Sequence, residues 1–161
     1  MIILGIDPGT TAIGYAFIEN PLAPRALTSG LLTIRADSAA NRLKELHKEL
    51  TALIDQWRPD VLAVEKIFFS RNVKTAIEVA QARGVILLTS SLAGLRVYEY
   101  TPLEVKKIIT GDGNADKLQV KKMVQLTLKE MAQASARDDV FDAIAIALTY
   151  CFRERHLIRE S

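Results

Sequence analysis

The chain has 161 residues, of which 49% are hydrophobic and 25% charged; this fits one globular domain and is too apolar for a disordered one. Its charge-free stretches, among them residues 84–95 and 143–152, all fall well short of the roughly 20 residues that a membrane span needs. Lys and Arg number 21 against 19 Asp and Glu, so net charge (+2) does not by itself argue for nucleic acid, and the single cysteine, Cys151, excludes an internal disulfide or a multi-cysteine zinc site and points to the reducing cytoplasm.

No internal repeat or low-complexity segment interrupts the chain. Ile2-Ile3-Leu4-Gly5-Ile6 has no basic flank and meets Asp7 at once, so it reads as a strand buried on both faces and not as a signal peptide. Pro8-Gly9-Thr10-Thr11 is turn chemistry, and residues 12–18 form a second strand close enough to pair antiparallel with the first. A loop at residues 20–24 leads to a third strand over 25–34. Leu43, Leu46, Leu50, Leu53, Ile54 and Trp57 then recur at steps of three and four, which predicts an amphipathic helix capped by Ser38 and stopped by Arg58-Pro59-Asp60. Val61-Leu62-Ala63-Val64 is a buried fourth strand.

The second helix is predicted over 73–91, with Ile77, Ala80, Gly84 and Leu87 along one side. Residues 96–100 make a fifth strand. Thr101-Pro102 opens a short helix to about residue 109, with Thr101 as cap and Pro102 at the first position. After a loop at 110–114, a basic helix is expected over 115–131 and a last helix over 138–152, with a polar break between them. The order β-β-β-α-β-α-β-α-α-α predicts an α/β fold: a five-stranded mixed sheet with helices on both faces, in one domain over 1–161 with a frayed tail at 154–161.

Four carboxylates stand out by position. Asp7 ends the first strand and Glu65 the fourth, while Asp139 and Asp142 open the last helix, on one face at a step of three. If strands one and four are neighbours, the four acids meet at one end of the sheet. Such a group repels itself unless a cation neutralises it. Hard oxygen donors suit Mg²⁺ or Mn²⁺ rather than zinc, and a pair of such ions can activate water and stabilise the leaving oxygen of a phosphodiester. Each acid also has a plainer role open to it: Asp7 as a turn former, Asp138 or Asp139 as a helix cap, Asp142 as a partner of the helix dipole. Glu65 is hardest to explain so, between Val-Leu-Ala-Val and Ile67-Phe68-Phe69. The basic segment between Val105 and Lys129 carries Lys106, Lys107, Lys117, Lys121, Lys122 and Lys129 against only Asp112 and Asp116. Lys106 and Lys117 flank its glycine-rich loop, where they can neutralise phosphate. Arg71, Lys74, Lys107, Lys121 and Lys122 are candidates for phosphate contact, and one of Phe68 and Phe69 for stacking on an unpaired base. His47 and His156 show no functional pattern.

Five motifs together resemble the RuvC Holliday-junction resolvases of bacteria, which have the ribonuclease H-like fold. They are Gly5-Ile6-Asp7-Pro8-Gly9, Val64-Glu65-Lys66-Ile67-Phe68, Gln81-Ala82-Arg83-Gly84, Gly111-Asp112-Gly113-Asn114-Ala115-Asp116-Lys117, and the run from Asp139 through Asp142 to Ala147. The resemblance implies a homodimeric, magnesium-dependent endonuclease that nicks four-way DNA junctions symmetrically, leaving 5′-phosphate and 3′-hydroxyl ends. It places the four acidic positions on Asp7, Glu65, Asp139 and Asp142, the two basic helpers on Lys106 and Lys117, and the base-stacking aromatic on Phe68. It also implies work with the branch-migration proteins RuvA and RuvB. The doublet Asp138-Asp139 leaves the third acid ambiguous, and the spacing to Asp142 selects Asp139. A dimer also suits the two-fold symmetry of a junction, with the small residues Ala76, Ala80 and Gly84 offering a close helix contact.

Rival expectations come from other classes. Gly5–Thr11 also resembles the phosphate loop of the sugar kinase and actin superfamily, but those proteins need two such halves and the sequence shows one. An inert DNA-binding domain would have no reason to keep four mutually repelling acids. A nuclease acting on RNA–DNA hybrids is not separated from a DNA nuclease by the basic segment alone.

Overall fold

A computed structural model describes residues 1–66, 73–131 and 137–154 of the chain, with the side chains of 73, 74 and 131 excepted. Among these, β1 (Ile2–Asp7), β2 (Ala12–Glu19), β3 (Arg25–Thr33), β4 (Val61–Glu65) and β5 (Arg96–Tyr100) form one sheet in the order β3-β2-β1-β4-β5. β1 pairs antiparallel with β2 and β2 with β3, while β1–β4 and β4–β5 are parallel. This is the mixed sheet expected from the sequence, and strands one and four are indeed neighbours.

Two helical layers cover the sheet. α1 (Ala39–Trp57) and α2 (Val73–Leu92) lie on one face, while α3 (Pro102–Thr110), α4 (Lys117–Thr127) and α5 (Asp138–Arg153) lie on the other. Strand side chains alternate between the layers. Leu4, Ile6, Leu62 and Val64 enter the α1/α2 core, and Ile3, Val61 and Ala63 enter the α5 core. By the same alternation Asp7 and Glu65 face the α5 layer. None of the described helices is long and apolar enough to cross a membrane.

Ser38 caps α1 as expected, accepting from the Asn41 N–H, and Leu46, Leu50 and Ile54 are buried. Thr101 and Glu104 form a reciprocal cap that starts α3. Two expectations need correction. The basic helix begins at Lys117, not residue 115, because Asp116 and Gln119 form a second reciprocal cap; it ends at Thr127, before a short 3₁₀ turn over Lys129–Met131. Neither Asp138 nor Asp139 caps α5: the cap position is Arg137, without a side-chain bond, and both acids sit in the first turn. The Ala80–Gly84 side of α2, suggested above as a close helix contact across a dimer, does not face the sheet. Ala82, Ile86, Thr89 and Ser90 are buried instead, while Ile77, Ala80 and Gly84 are exposed. His47 lies on the outer part of α1, where its ring meets the Thr89 hydroxyl at 2.8 Å and ties α1 to α2.

Candidate active site

The geometry of the site starts with two glycines. Gly5 lies in β1 under α5, and any Cβ there would collide with the Ala143 carbonyl and the Ala147 side chain. Gly14 is the partner of Asp7 across the β1–β2 ladder, and a Cβ there would collide with the Asp139 carbonyl. With no side chain at either position, α5 rests directly on the strands. Its first turn is thereby brought over the end of β1, next to Asp7.

Parallel pairing of β1 and β4 brings Glu65 beside Asp7, one residue past the last pair, Ile6 with Val64. The result is a cleft of about 340 Å³ lined by Asp7, Glu65, Asp139, Asp142, Lys106 and Lys117. Its apolar wall is made by Pro102, Val105, Val120, Ala145 and Ile146. All four predicted acids and both predicted basic helpers therefore share one cleft. Lys106 arrives on α3 and Lys117 as the first residue of α4, each helix held in place by its own reciprocal cap.

The electrostatics are those of crowded carboxylates. Burial, reinforced by Asp142, Glu65 and Asp139, pushes the Asp7 carboxyl up to about 7, with Lys117 opposing. Burial, then Asp142, pushes Glu65 up to about 7, against Lys117 and Lys106. Asp142 is raised too, by burial, and Lys117 counters that effect from 3.4 Å (Nζ to Oδ2). The same pairing raises the Lys117 ammonium. Asp139 is paired outward, with Arg137 Nη2 3.5 Å from its Oδ2. The acids thus lie close enough to repel. Among the described residues, however, no three His, Cys, Asp or Glu side chains stand in the compact arrangement of an ion's ligands, with Asp139 and Asp142 each engaged by a basic side chain.

The remaining predicted residues divide. Lys107 and Lys122 are exposed and do not line the cleft, whereas Lys121 is half-buried with its ammonium 4.6 Å from the centre of the Phe141 ring. Phe68 and Arg71, with Phe69, His156 and the tail from residue 155, lie outside the described residues. Lys74 belongs to α2, but its side chain is not described. Sequence reasoning missed Arg137, a cation directly before the acidic doublet. It also missed the role of Arg83, which donates from Nε to the Glu65 carbonyl at 3.1 Å.

The family model described as crossover junction endodeoxyribonuclease RuvC matches residues 3–150. A crossover junction endodeoxyribonuclease RuvC of Halothermothrix orenii is 46% identical over 152 residues, covering 93% of this chain and 92% of that protein. Among solved structures, Thermus thermophilus RuvC in complex with Holliday junction substrate superposes with a TM-score of 0.89 at 33% identity, over 97% of this chain and 96% of that one. The yeast mitochondrial Holliday junction resolvase Ydc2 shares the fold, with a TM-score of 0.75 at 12% identity over 98% of this chain and 80% of that one. A five-stranded mixed sheet, acids at the ends of β1 and β4 and a family match over nearly the whole length lead to one assignment: the chain belongs to the RuvC family of crossover junction endodeoxyribonucleases.

Proposed function

We propose that this chain resolves four-way DNA junctions by paired, symmetric phosphodiester hydrolysis in the α5-side cleft, leaving 5′-phosphate and 3′-hydroxyl ends, in recombination and repair in the cytoplasm. The observation that carries the reading is the meeting of Asp7, Glu65, Asp139, Asp142, Lys106 and Lys117 in one cleft from five separate elements.

Family membership implies a divalent metal cofactor. The donor set fits one: four carboxylates, no sulfur or imidazole, and two acids raised toward neutrality by burial and mutual repulsion that a divalent charge would relieve. Our reading is Mg²⁺, with Mn²⁺ as substitute, two ions held by Asp7, Glu65, Asp139 and Asp142. Bound there, such ions supply Lewis acidity toward the phosphodiester and a water of lowered pKa.

The chain's own residues do the rest. Asp7 and Glu65 must give up their carboxyl protons to serve as ligands, and their raised affinities place that loss near pH 7. Lys117 leaves Asp142 to meet the scissile phosphate, and Lys106 neutralises the same group from α3. Val105, Val120 and Ile146 keep bulk water from one wall of the cleft, which strengthens every charge interaction inside it. Lys107, Lys121 and Lys122, with Arg71 and Lys74, are read as contacts to the DNA backbone, and Phe68 as the stacking residue.

Two nicks in a two-fold junction need two clefts, and the exposed apolar face of α2 (Ile77, Ala80, Gly84, Leu88, Leu92) is our candidate homodimer surface. RuvA and RuvB are the partners that the family implies.

The test uses a synthetic mobile four-way junction, a plain duplex and an RNA–DNA hybrid, each with Mg²⁺ and with EDTA. Paired nicks are expected in the junction alone and only with metal. Asp7→Asn should lower cutting by at least about 10³-fold while leaving junction affinity nearly unchanged. Normal cutting by that variant would overturn the assignment of the cleft.

A further inference from the structure

Glu65 occupies the least supported place of the four acids. The β1–β4 ladder ends at Ile6 and Val64, so the Glu65 carbonyl lies past its last pair. On the other side, β4 keeps one more bond, from the Lys66 N–H to the Tyr100 carbonyl at 2.8 Å. A strand end with an unpaired carbonyl frays, and its side chain wanders with it.

Arg83 fills that gap from the opposite layer. It stands on α2 beside the buried Ala82, and its side chain is only 17% exposed. Its Nε–H donates to the Glu65 carbonyl at 3.1 Å, and another arm of the guanidinium pairs with the Glu99 carboxylate of β5. Glu99 is in register with Val64, so it shares the α2-facing side of the sheet. One planar fork therefore holds β4 at its last residue, β5 next to it and α2 beneath both. The Glu65 carboxylate lies on the other face, in the cleft.

We propose that Arg83 is a positioning residue for Glu65: its two-armed grip on the Glu65 carbonyl and on Glu99 sets where the Glu65 carboxylate stands in the cleft. Lysine cannot substitute fully, because a single ammonium lacks the rigid fork that reaches both acceptors. The proposal rests on the reading of Glu65 as a metal ligand, so its test separates the two.

Mn²⁺ binding to the DNA-free protein is measured by calorimetry for wild type, Arg83→Gln, Arg83→Lys and Glu99→Gln, with Asp7→Asn as the control for the site itself. Junction affinity, single-turnover cutting and Tm are measured on the same samples. Arg83→Gln is expected to weaken Mn²⁺ binding and slow cutting by about 10-fold or more, as loss of a group behind a ligand does. Its junction affinity should stay within about twofold, and raised Mn²⁺ should restore much of the rate. Arg83→Lys should fall between the two. If Arg83→Gln unfolds, Glu99→Gln decides: it keeps the Nε bond but frees the other arm, and weaker Mn²⁺ binding at unchanged Tm supports the grip. Wild-type Mn²⁺ affinity and cutting in the Arg83 variants would overturn the positioning role and leave the site reading intact. Wild-type behaviour of Asp7→Asn would overturn both.

Discussion

The two helical layers of this protein use apolar residues in opposite ways. α5 is buried on nearly every side: Val140, Phe141 and each residue from Ala143 to Cys151 are covered by the sheet and by α3 and α4. α2 buries only a narrow strip around Ala82 and Ile86, and leaves Ile77 54%, Leu88 59% and Leu92 74% exposed. Both helices are rich in apolar residues, so richness alone does not tell them apart. What separates them is contact. α5 sits on the backbone of Gly5 and Gly14, which holds two acids at fixed places over Asp7. α2 reaches the sheet through fewer side chains and keeps a stripe that nothing among the described residues covers. The α5 layer holds the proposed catalytic cleft, and the α2 layer carries the proposed assembly surface.

The contrast breaks most completely at Gly14. In Gly14→Val the new side chain meets the Asp139 carbonyl, so α5 must lift from β2. Cutting should be lost, with a destabilisation of about 1–3 kcal/mol seen in urea unfolding, the usual cost of overpacking. An active, equally stable Gly14→Val would mean that α5 does not need this close seat.

Changes on the other layer should be milder and different in kind. Ile77→Glu with Leu88→Glu places charge on the exposed stripe without touching the buried strip. Sedimentation should then show a monomer, Tm should hold within a few degrees, and paired nicks should give way to isolated ones. A variant that stays dimeric removes this stripe as the contact surface.

The smallest effect is a pH signature of the cleft. Asp7 and Glu65 are held near 7 in the folded protein, above their ordinary values of 3.8 and 4.5. The unfolded chain therefore sheds these protons first, and the metal-free fold loses stability as pH rises from about 4 to about 7, with no further loss above that. In EDTA, Asp7→Asn should raise Tm by a few degrees at pH 8 and change it little at pH 4, read by calorimetry. A lower Tm for the variant at pH 8 would show the carboxylate to be stabilised rather than strained.

Much of this was legible before any coordinates. Short apolar runs ending in Asp7 and Glu65 announced two buried strands with acids at one end, and the step from Asp139 to Asp142 put both on one helical face. Capping residues marked α1 and α3 correctly because Ser38 and Thr101 act through neighbours three residues away. The start of α4 lies two residues later than the apolar pattern predicts, since Asp116 and Gln119 make a cap that the pattern does not report. The sequence pattern sets Ile77, Ala80 and Gly84 on one side of α2, and the structure shows that side exposed. Periodicity says that residues share a face, and says nothing about which body covers it.

The amino-acid sequence by itself determined the elements, the acids at their ends and the family, because all of these are written in local spacing and in motifs short enough to read along the chain. Tertiary structure alone decided that Lys117 would engage Asp142 and that Arg83 would reach under the sheet to Glu65 and Glu99. Those contacts join residues far apart in the chain, brought together by the packing of α4 against α5 and of α2 against the paired ends of β4 and β5. Their strength depends on ångström-scale distances that no one-dimensional pattern encodes.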